Sequence, residues 1–172
     1  MDLRDHVRDI PDFPRPGIAF KDITPLLLDP DASAAALAWL VERARRRELD
    51  RVVGIEARGL IFGGALAHEL GVGFAPARKQ GKLPAERVSV EYELEYGVDA
   101  LELHADAIGD GTRVLLHDDL IATGGTAAAT VEAIERLGGR VVTCLFLLEL
   151  AFLGGRERLA GHEVDALLRY ES

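Results

Sequence analysis

The architecture of this chain can be inferred from one stretch, Arg113-Val-Leu-Leu-His-Asp-Asp-Leu-Ile-Ala-Thr-Gly-Gly-Thr126. Its apolar run, Val114 to Leu116, is typical of a buried strand, and Asp118 and Asp119 follow where we expect that strand to end. Ala122 to Thr126 then lead into an apolar pattern with helical spacing. A glycine-containing turn that opens a helix presents free backbone N–H groups and the positive end of the helix dipole. The stretch therefore predicts a phosphate-binding turn between a strand and a helix, with two carboxylates beside it that can bind sugar hydroxyls or a divalent metal.

Predicted helices and strands alternate along the rest of the chain. They are a helix from Ala34 to Leu49 with Asp31 or Ser33 as its cap, a strand from Arg51 to Ile55, a helix from Leu60 to Leu70 ended by Gly71, a short strand from Gly73 to Ala77, an alternating strand from Val88 to Tyr96 with a partner around Leu101 and Leu103, and a strand from Arg140 to Leu148. This order predicts an α/β fold, a parallel sheet flanked by helices, with ligands at the carboxyl ends of the strands. The glycines and charges of Lys79 to Arg87 predict a mobile loop.

Composition limits the classes of protein to which the chain can belong. Its 172 residues, 48% hydrophobic and 28% charged, predict a single globular domain spanning residues 1–172. The net charge is −9, and the cluster Arg43, Arg45, Arg46 and Arg47 lies near a predicted helix end, where arginines usually form a solvated face. We therefore expect no nucleic-acid partner.

The same composition bears on compartment and on cysteine chemistry. No apolar run approaches the length of a membrane span, and the charged N-terminus lacks the apolar region of a signal peptide, so we expect no membrane partner and a cytoplasmic location. Cys144 is the single cysteine and lies in an apolar run. An internal disulfide is therefore excluded, and a buried structural thiol is expected.

The stretch Arg113 to Thr126 resembles the phosphoribosyl-pyrophosphate (PRPP) signature of the type I phosphoribosyltransferases. Like that signature, it consists of an aliphatic strand, two adjacent acidic residues, a short link and the sequence Ala-Thr-Gly-Gly-Thr. Further segments resemble the adenine phosphoribosyltransferase family and occur in its order: Phe13-Pro-Arg-Pro-Gly-Ile-Ala-Phe-Lys-Asp-Ile-Thr-Pro25, Gly54-Ile-Glu-Ala-Arg-Gly59, Arg78-Lys-Gln-Gly-Lys-Leu-Pro84, Leu94-Glu-Tyr-Gly97 and Glu149-Leu150. The resemblance extends from His6 to Tyr170. It implies the type I phosphoribosyltransferase fold, a parallel twisted sheet flanked by helices, with a small N-terminal hood segment and a flexible loop.

The resemblance also implies a reaction, adenine plus PRPP giving AMP and pyrophosphate, with Mg²⁺ as cofactor and a homodimer as the assembly. Catalysis would fall to Glu95, which would handle the proton of the purine, and to Asp118 and Asp119, which would bind the ribose hydroxyls. PRPP would be held by Arg58, Arg78, Lys79, Lys82, Ala122, Thr123, Gly124, Gly125 and Thr126. Adenine would be held by the backbone of Ala19 and Lys21, by the ring of Phe20 and by Leu150. No direct protein ligand for Mg²⁺ is assigned, since PRPP itself would hold the ion. A cis peptide bond is implied at Glu56–Ala57.

Each assignment has a plainer alternative. The phosphate-binding turn Ala122 to Thr126 could be an ordinary strand-to-helix turn with a threonine cap. Asp118 and Asp119 could be a turn-forming pair, and Arg78, Lys79 and Lys82 could belong to a solvated loop. By periodicity alone Glu91, Glu93 and Glu95 are equivalent, and only the Leu-Glu-Tyr-Gly match selects Glu95. His117 departs from the family, which usually has an aliphatic residue there, and we interpret it as a packing or interface residue rather than a catalytic one. Two other functions stay open: a PRPP-binding regulator of the same fold, and an enzyme for another purine such as xanthine.

Overall fold

The computed structural model describes residues 1–94 and 97–172, which form two compact units, Met1–Trp39 and Leu40–Ser172. In the first unit a 3-10 helix, Leu3–His6, precedes a two-stranded antiparallel sheet, β1 (Arg8–Ile10) and β2 (Phe20–Asp22), which is followed by α1 (Thr24–Leu28) and the start of α2 (Pro30–Ala44). The Phe13–Pro14 peptide in the connection between the two strands is cis.

Helix α2 begins and ends earlier than the sequence pattern predicted. Its cap is Asp29 rather than Asp31 or Ser33, because the Asp29 carboxylate accepts hydrogen bonds from the backbone N–H groups of Asp31 and Ala32, both at 2.9 Å. Pro30 suits the first helical position, where no N–H donor is needed. At the other end the Arg47 backbone N–H bonds to the Ala44 carbonyl in a tight turn, and the helix stops there.

The second unit is built on a seven-stranded sheet with the order β5-β6-β4-β3-β7-β8-β9. Its elements in chain order are β3 (Arg51–Ile55), α3 (Gly59–Leu70), β4 (Gly73–Lys79), β5 (Arg87–Leu94), β6 (Gly97–His104), β7 (Arg113–Ile121), α4 (Gly125–Arg136), β8 (Arg140–Leu150), two 3-10 helices (Ala151–Leu153 and Gly155–Leu159) and β9 (Val164–Tyr170). The predicted parallel sheet with flanking helices is confirmed.

Strands β4, β3, β7, β8 and β9 are parallel, and the β5–β6 hairpin adds to β4 in antiparallel orientation. The predicted partnership of the alternating strand is also confirmed, since Val90 lies opposite Leu101 and Val88 opposite Leu103. Apolar residues from one face of this sheet and from α4 form the main core, which includes Cys144, buried as expected. The carboxyl ends of β3, β4, β7 and β8 share one edge of the sheet, as parallel strands must.

Candidate functional site

The predicted phosphate-binding turn, Ala122 to Thr126, lies at the junction of β7 and α4, as the sequence predicted. We call these five residues the phosphate cradle. Gly124 precedes the first turn of α4 and has φ +80°, a left-handed conformation that favours glycine. No side chain caps this helix, so the alternative of a threonine-capped turn does not apply. The first-turn N–H groups and the positive helix end face a cavity of about 160 Å³ lined by Ala122 to Thr126 together with Asp118. The arrangement is suited to a phosphate group.

Both acids lie inside β7 rather than beyond its end, because the strand continues to Ile121 along its neighbour β8. On the other side, the pairing of β3 with β7 stops at Gly54 and His117. The sheet is therefore open next to Asp118 and Asp119, which exposes them to a ligand even though they are still in a strand.

The two acids have different surroundings. Asp119 is only 5% exposed and accepts a hydrogen bond from Arg58 Nε at 2.5 Å. Asp118 Oδ1 accepts the backbone N–H of Asp119 at 2.8 Å. Burial, together with the neighbouring Asp119 carboxylate, raises the pKa of Asp118 well above its usual range. One acid is thus tied to a cation, and the other is a carboxyl whose ionised form is disfavoured here and would be stabilised by a hydroxyl or cationic ligand.

Arg58 stands at the turn from β3 into α3, directly after the Glu56–Ala57 peptide, which is cis as the resemblance implied. A cation at a helix N-terminus is unfavourable unless an anion lies beside it, and here that anion is Asp119. The turn can approach β7 so closely because residue 59 is glycine. A Cβ at Gly59 would lie 2.7 Å from Asp118 Oδ1 and 2.9 Å from Asp118 Cα.

Three of the four cations predicted to bind PRPP, Arg78, Lys79 and Lys82, are held by two carboxylates that the sequence did not predict as site residues. Glu56 forms ion pairs with Arg78, at 2.9 Å, and with Lys82, and it accepts the Lys79 backbone N–H at 3.0 Å. Burial alone would raise the pKa of Glu56, but the hydrogen bonds from Lys82, Lys79 and Arg78 outweigh it and lower the pKa below its ordinary value. The Lys79 ammonium lies 3.1 Å from Asp99 on β6.

One cleft of about 270 Å³ brings many of these groups together. Five of the residues that line this cleft were predicted from the sequence: Arg58, Lys79, Asp118, Asp119 and Thr126. The other lining residues were not predicted: Glu56, Ala57, Tyr92, Asp99, Leu101 and Leu120. Arg78 and Lys82 do not line this cleft, although both contact Glu56, which does. Glu56 was identifiable in principle, because it lies within the matched Glu-Ala-Arg-Gly segment, whereas no sequence signal marked Asp99.

The predicted adenine-binding residues are divided between the two units. In the first unit, Phe20 begins β2 and packs its ring against Phe13 in an edge-to-face contact, with centroids 5.2 Å apart and an interplanar angle of 71°. Lys21 forms an ion pair with Asp9 at 2.5 Å. The Arg8–Asp22 ion pair, at 2.6 Å, joins the two strands and fixes this segment. In the second unit, Leu150 ends β8 and is nearly buried.

His117 is fully buried and donates from Nδ1 to the Leu145 carbonyl at 2.8 Å, while its Nε2 has no partner among residues 1–94 and 97–172. Burial lowers the pKa of His117 to about 4. A neutral imidazole bonded to backbone supports its interpretation as a packing residue. Glu95, the predicted proton handler, lies outside the described residues.

Two further observations concern metals and membranes. Among the described residues, no group of three or more His, Cys, Asp or Glu side chains is arranged to hold a metal ion. In the same part of the chain, none of the helices has the length and apolarity needed to cross a bilayer.

Comparison with known proteins agrees with this geometry. Residues 26–160 match the phosphoribosyl transferase domain family. An adenine phosphoribosyltransferase of Solibacter usitatus is 54% identical over 170 residues, which cover 99% of this chain and 98% of the relative. The crystal structure of the Rhodothermus marinus adenine phosphoribosyltransferase superposes with a TM-score of 0.93 at 53% identity, covering 98% of this chain and 96% of that one. The Saccharomyces cerevisiae enzyme, crystallised with adenine and an imino-altritol bisphosphate, is 41% identical with a TM-score of 0.90 over 97% of both chains.

Proposed function

The chain belongs to the adenine phosphoribosyltransferase family, and we propose that it transfers the 5-phosphoribosyl group of PRPP to adenine, giving AMP and pyrophosphate in purine salvage. One observation carries the proposal at the level of the site: the acid pair, Arg58, Lys79 and Thr126 line a single cleft at the carboxyl edge of the sheet. We further propose that residues 1–172 act as one phosphoribosyltransferase domain.

The 5′-phosphate of PRPP would bind in the cradle Ala122 to Thr126. Backbone N–H groups at the uncapped start of α4 supply donors, and the hydroxyls of Thr123 and Thr126 add two more. Because Asp118 lines the same cavity, the ribose attached to this phosphate would lie next to the acid pair.

The acids would bind the ribose hydroxyls and stabilise the positive charge that develops on the sugar as pyrophosphate leaves. Their unequal surroundings support unequal roles. Asp119 is nearly buried and anchored by Arg58, which suits fixed positioning, whereas the raised pKa of Asp118 reflects a charge that a cationic sugar would stabilise.

The pyrophosphate would be bound by Arg58, Arg78, Lys79 and Lys82. In the free protein Glu56 and Asp99 neutralise the last three, so these acids keep the cations in place without substrate. Mg²⁺ would be held mainly by the oxygens of PRPP, the hard oxygen ligands that this ion prefers. When bound, it would neutralise the leaving pyrophosphate.

Adenine would stack on Phe20, with backbone groups of Ala19 and Lys21 reading its edge and Leu150 closing the pocket. The adenine bound in the yeast relative supports the choice of base. No lysine follows β8 in the segment Glu149-Leu-Ala-Phe-Leu153, and a donor of that kind would favour a 6-oxo purine instead. Glu95 would take or return the purine proton.

We also propose that the enzyme acts as a homodimer in the cytoplasm, where multiply charged PRPP is retained because it does not cross membranes. A regulator that only binds PRPP is the second candidate. The full-length similarity of the chain to adenine phosphoribosyltransferases favours catalysis over that alternative.

The decisive experiment supplies the purified chain with PRPP, Mg²⁺ and one purine base at a time and follows the nucleotide product by chromatography. We expect AMP from adenine, and no product when EDTA replaces Mg²⁺. Faster reaction with guanine, hypoxanthine or xanthine would overturn the base assignment. PRPP binding without turnover on any base would favour the regulator.

A further inference from the structure

Two side chains of the cleft, Tyr92 and Asp99, are assigned neither to a substrate nor to the proton transfer of the proposed reaction. They are direct cross-strand partners on the β5–β6 hairpin, and the Tyr92 hydroxyl donates to Asp99 Oδ2 at 3.3 Å. The same carboxylate oxygen lies 3.1 Å from the Lys79 ammonium. Lys79 is paired with Leu101, two residues along β6 from Asp99, so all three polar side chains share one face of the sheet.

The charges of this group are fixed at neutral pH. Burial alone would raise the pKa of Asp99, but the hydrogen bonds from the Ala100 backbone N–H, Lys79 and Tyr92 lower it below its ordinary value. The hydrogen bond to Asp99 raises the pKa of Lys79, and the nearby Tyr92 and Glu56 raise it further by a smaller amount. Burial raises the pKa of Tyr92, whose side chain is only 9% exposed. The group is therefore a carboxylate that holds one ammonium and one phenol.

This group also reaches the phosphate cradle. Thr126, in the first turn of α4, lines the same cleft as Tyr92, and a Cβ at the neighbouring Gly125 would lie 3.6 Å from the Tyr92 ring. Tyr92 thus borders the cradle on one side and is joined to Lys79 through Asp99 on the other. Thr126 and Lys79, which line the cleft on either side of Tyr92 and Asp99, are assigned to the 5′-phosphate and to the pyrophosphate of PRPP.

We propose that Asp99 and Tyr92 are positioning residues that hold the Lys79 ammonium at a fixed distance from the cradle, so that PRPP meets both phosphate sites already arranged. This proposal rests on the proposed function. Lys79 is 54% exposed, and a lysine that is free to move must lose rotamer entropy when it binds an anion. A carboxylate that restrains the ammonium in advance removes part of that cost.

The test is a comparison of Asp99→Asn and Tyr92→Phe with the wild-type enzyme. Asp99→Asn keeps the side-chain shape and removes the charge, so we expect the KM for PRPP to rise about three- to tenfold, as for loss of a partly exposed charge-assisted hydrogen bond. The KM for adenine and kcat should change less than about twofold, because neither residue touches the base or the reacting carbon in this scheme. Tyr92→Phe should act in the same direction and more weakly. Asp106→Asn, an exposed acid just after β6, is the matched control and should leave all three constants unchanged.

A double-mutant cycle distinguishes positioning from a general structural effect. If Asp99 acts through Lys79, Asp99→Asn should raise the KM for PRPP by less than about twofold in a Lys79→Met background. An effect of full size in that background would overturn the proposal. An unchanged KM for PRPP in Asp99→Asn alone would also overturn it, because Asp99 would then have no effect on PRPP binding. A lower KM would overturn it as well, because Asp99 would then compete with PRPP for Lys79. Calorimetric titration with PRPP separates this result from the function: if the wild-type chain makes no AMP, the proposed function fails, while the change in PRPP affinity between variants still tests the network.

Discussion

Gly124 and Gly155 meet backbone to backbone, where the phosphate cradle packs against the start of the second 3-10 helix after β8, Gly155–Leu159. A Cβ at Gly124 would come within 3.1 Å of the Gly155 Cα and closer still to its carbonyl oxygen. A Cβ at Gly155 would lie 2.9 Å from Ile121 Cγ1 and 3.0 Å from the Gly124 nitrogen. The shape of the cradle therefore depends on a glycine far from it in sequence.

Gly155→Ala should distort the cradle by pressing on the backbone of Ala122 and Gly124, while every side chain assigned to the chemistry is left unchanged. Because the new methyl group meets backbone that cannot move aside easily, we expect a loss of about 1–3 kcal/mol in the free energy of unfolding and a higher KM for PRPP. Gly64→Ala is the control: a Cβ there meets nothing within 4 Å, and alanine favours the helix, so stability should be unchanged or slightly higher. Denaturant unfolding and initial rates measure both effects. If Gly155→Ala unfolds and binds PRPP like wild type, the close contact does not shape the cradle.

Asp118→Asn combined with Asp119→Asn should lower kcat at least about a hundredfold, the scale seen when one preorganised electrostatic contact to a transition state is removed. The fold should persist. Burial and the neighbouring Asp119 charge raise the pKa of Asp118, so removing both charges relieves a desolvation cost and a repulsion, which offset the loss of the Arg58–Asp119 ion pair. The melting temperature should therefore stay close to that of wild type. Circular dichroism and turnover are the measurements. Near wild-type activity in a folded double variant would remove the pair from the mechanism.

Local patterns were enough to predict the elements whose signals lie within a few residues. Helix α3 ends at Leu70 because Gly71 adopts the left-handed conformation that the pattern indicated. The alternation of Val88, Val90 and Tyr92 with exposed residues predicted β5 and its buried face. In such cases the side-chain sequence and the backbone requirement coincide, and no distant contact is needed.

Features that depend on distant partners were not predictable in this way. Strand β7 continues through Asp118 and Asp119 because β8 pairs with it there, and no residue of β7 itself signals this. Strand β9 was missed because its residues show no clean alternation, and its place is set by pairing with β8. Glu56 was marked only by the matched segment and its implied cis peptide bond, whereas its contacts with Arg78 and Lys82 depend on the approach of β4 and the residues that follow it.

His117→Val should make the protein less sensitive to acid. The pKa of His117 is lowered to about 4 in the folded chain, against about 6.5 for an unburied histidine. Between these values the unfolded chain binds the proton and the folded chain does not, so stability falls as pH decreases through this window, by up to about 3 kcal/mol. Valine lacks this contribution. We expect the unfolding free energies of the two proteins to diverge in favour of the variant from pH 7 to pH 4, with activity at pH 7.5 retained. Equal slopes, or loss of activity at pH 7.5, would contradict this account of His117.

Glu95→Gln should lower turnover far more than it weakens PRPP binding. Joining a ring nitrogen of neutral adenine to the sugar requires the base to lose one proton, so a group must accept it as the new bond forms. Glutamine keeps the shape and some hydrogen bonding of Glu95 but cannot take a proton. General acid–base catalysis is typically worth about 10²–10⁴-fold, or about 3–5 kcal/mol of barrier, and a loss in that range is expected at nearly unchanged PRPP affinity.

The matched control for this variant is Glu93→Gln, since Glu93 lies two residues earlier and is exposed on β5, and periodicity alone does not distinguish it from Glu95. Glu93→Gln should retain wild-type turnover. The chemical step is measured in a single turnover, with enzyme in excess over PRPP, so that slow product release cannot hide a change in chemistry. A loss below about fivefold in Glu95→Gln under these conditions is too small for general acid–base catalysis and would exclude Glu95 as the proton acceptor. An equal loss in both variants would instead point to the overall charge of the strand, because only a specific proton acceptor distinguishes one position from the other.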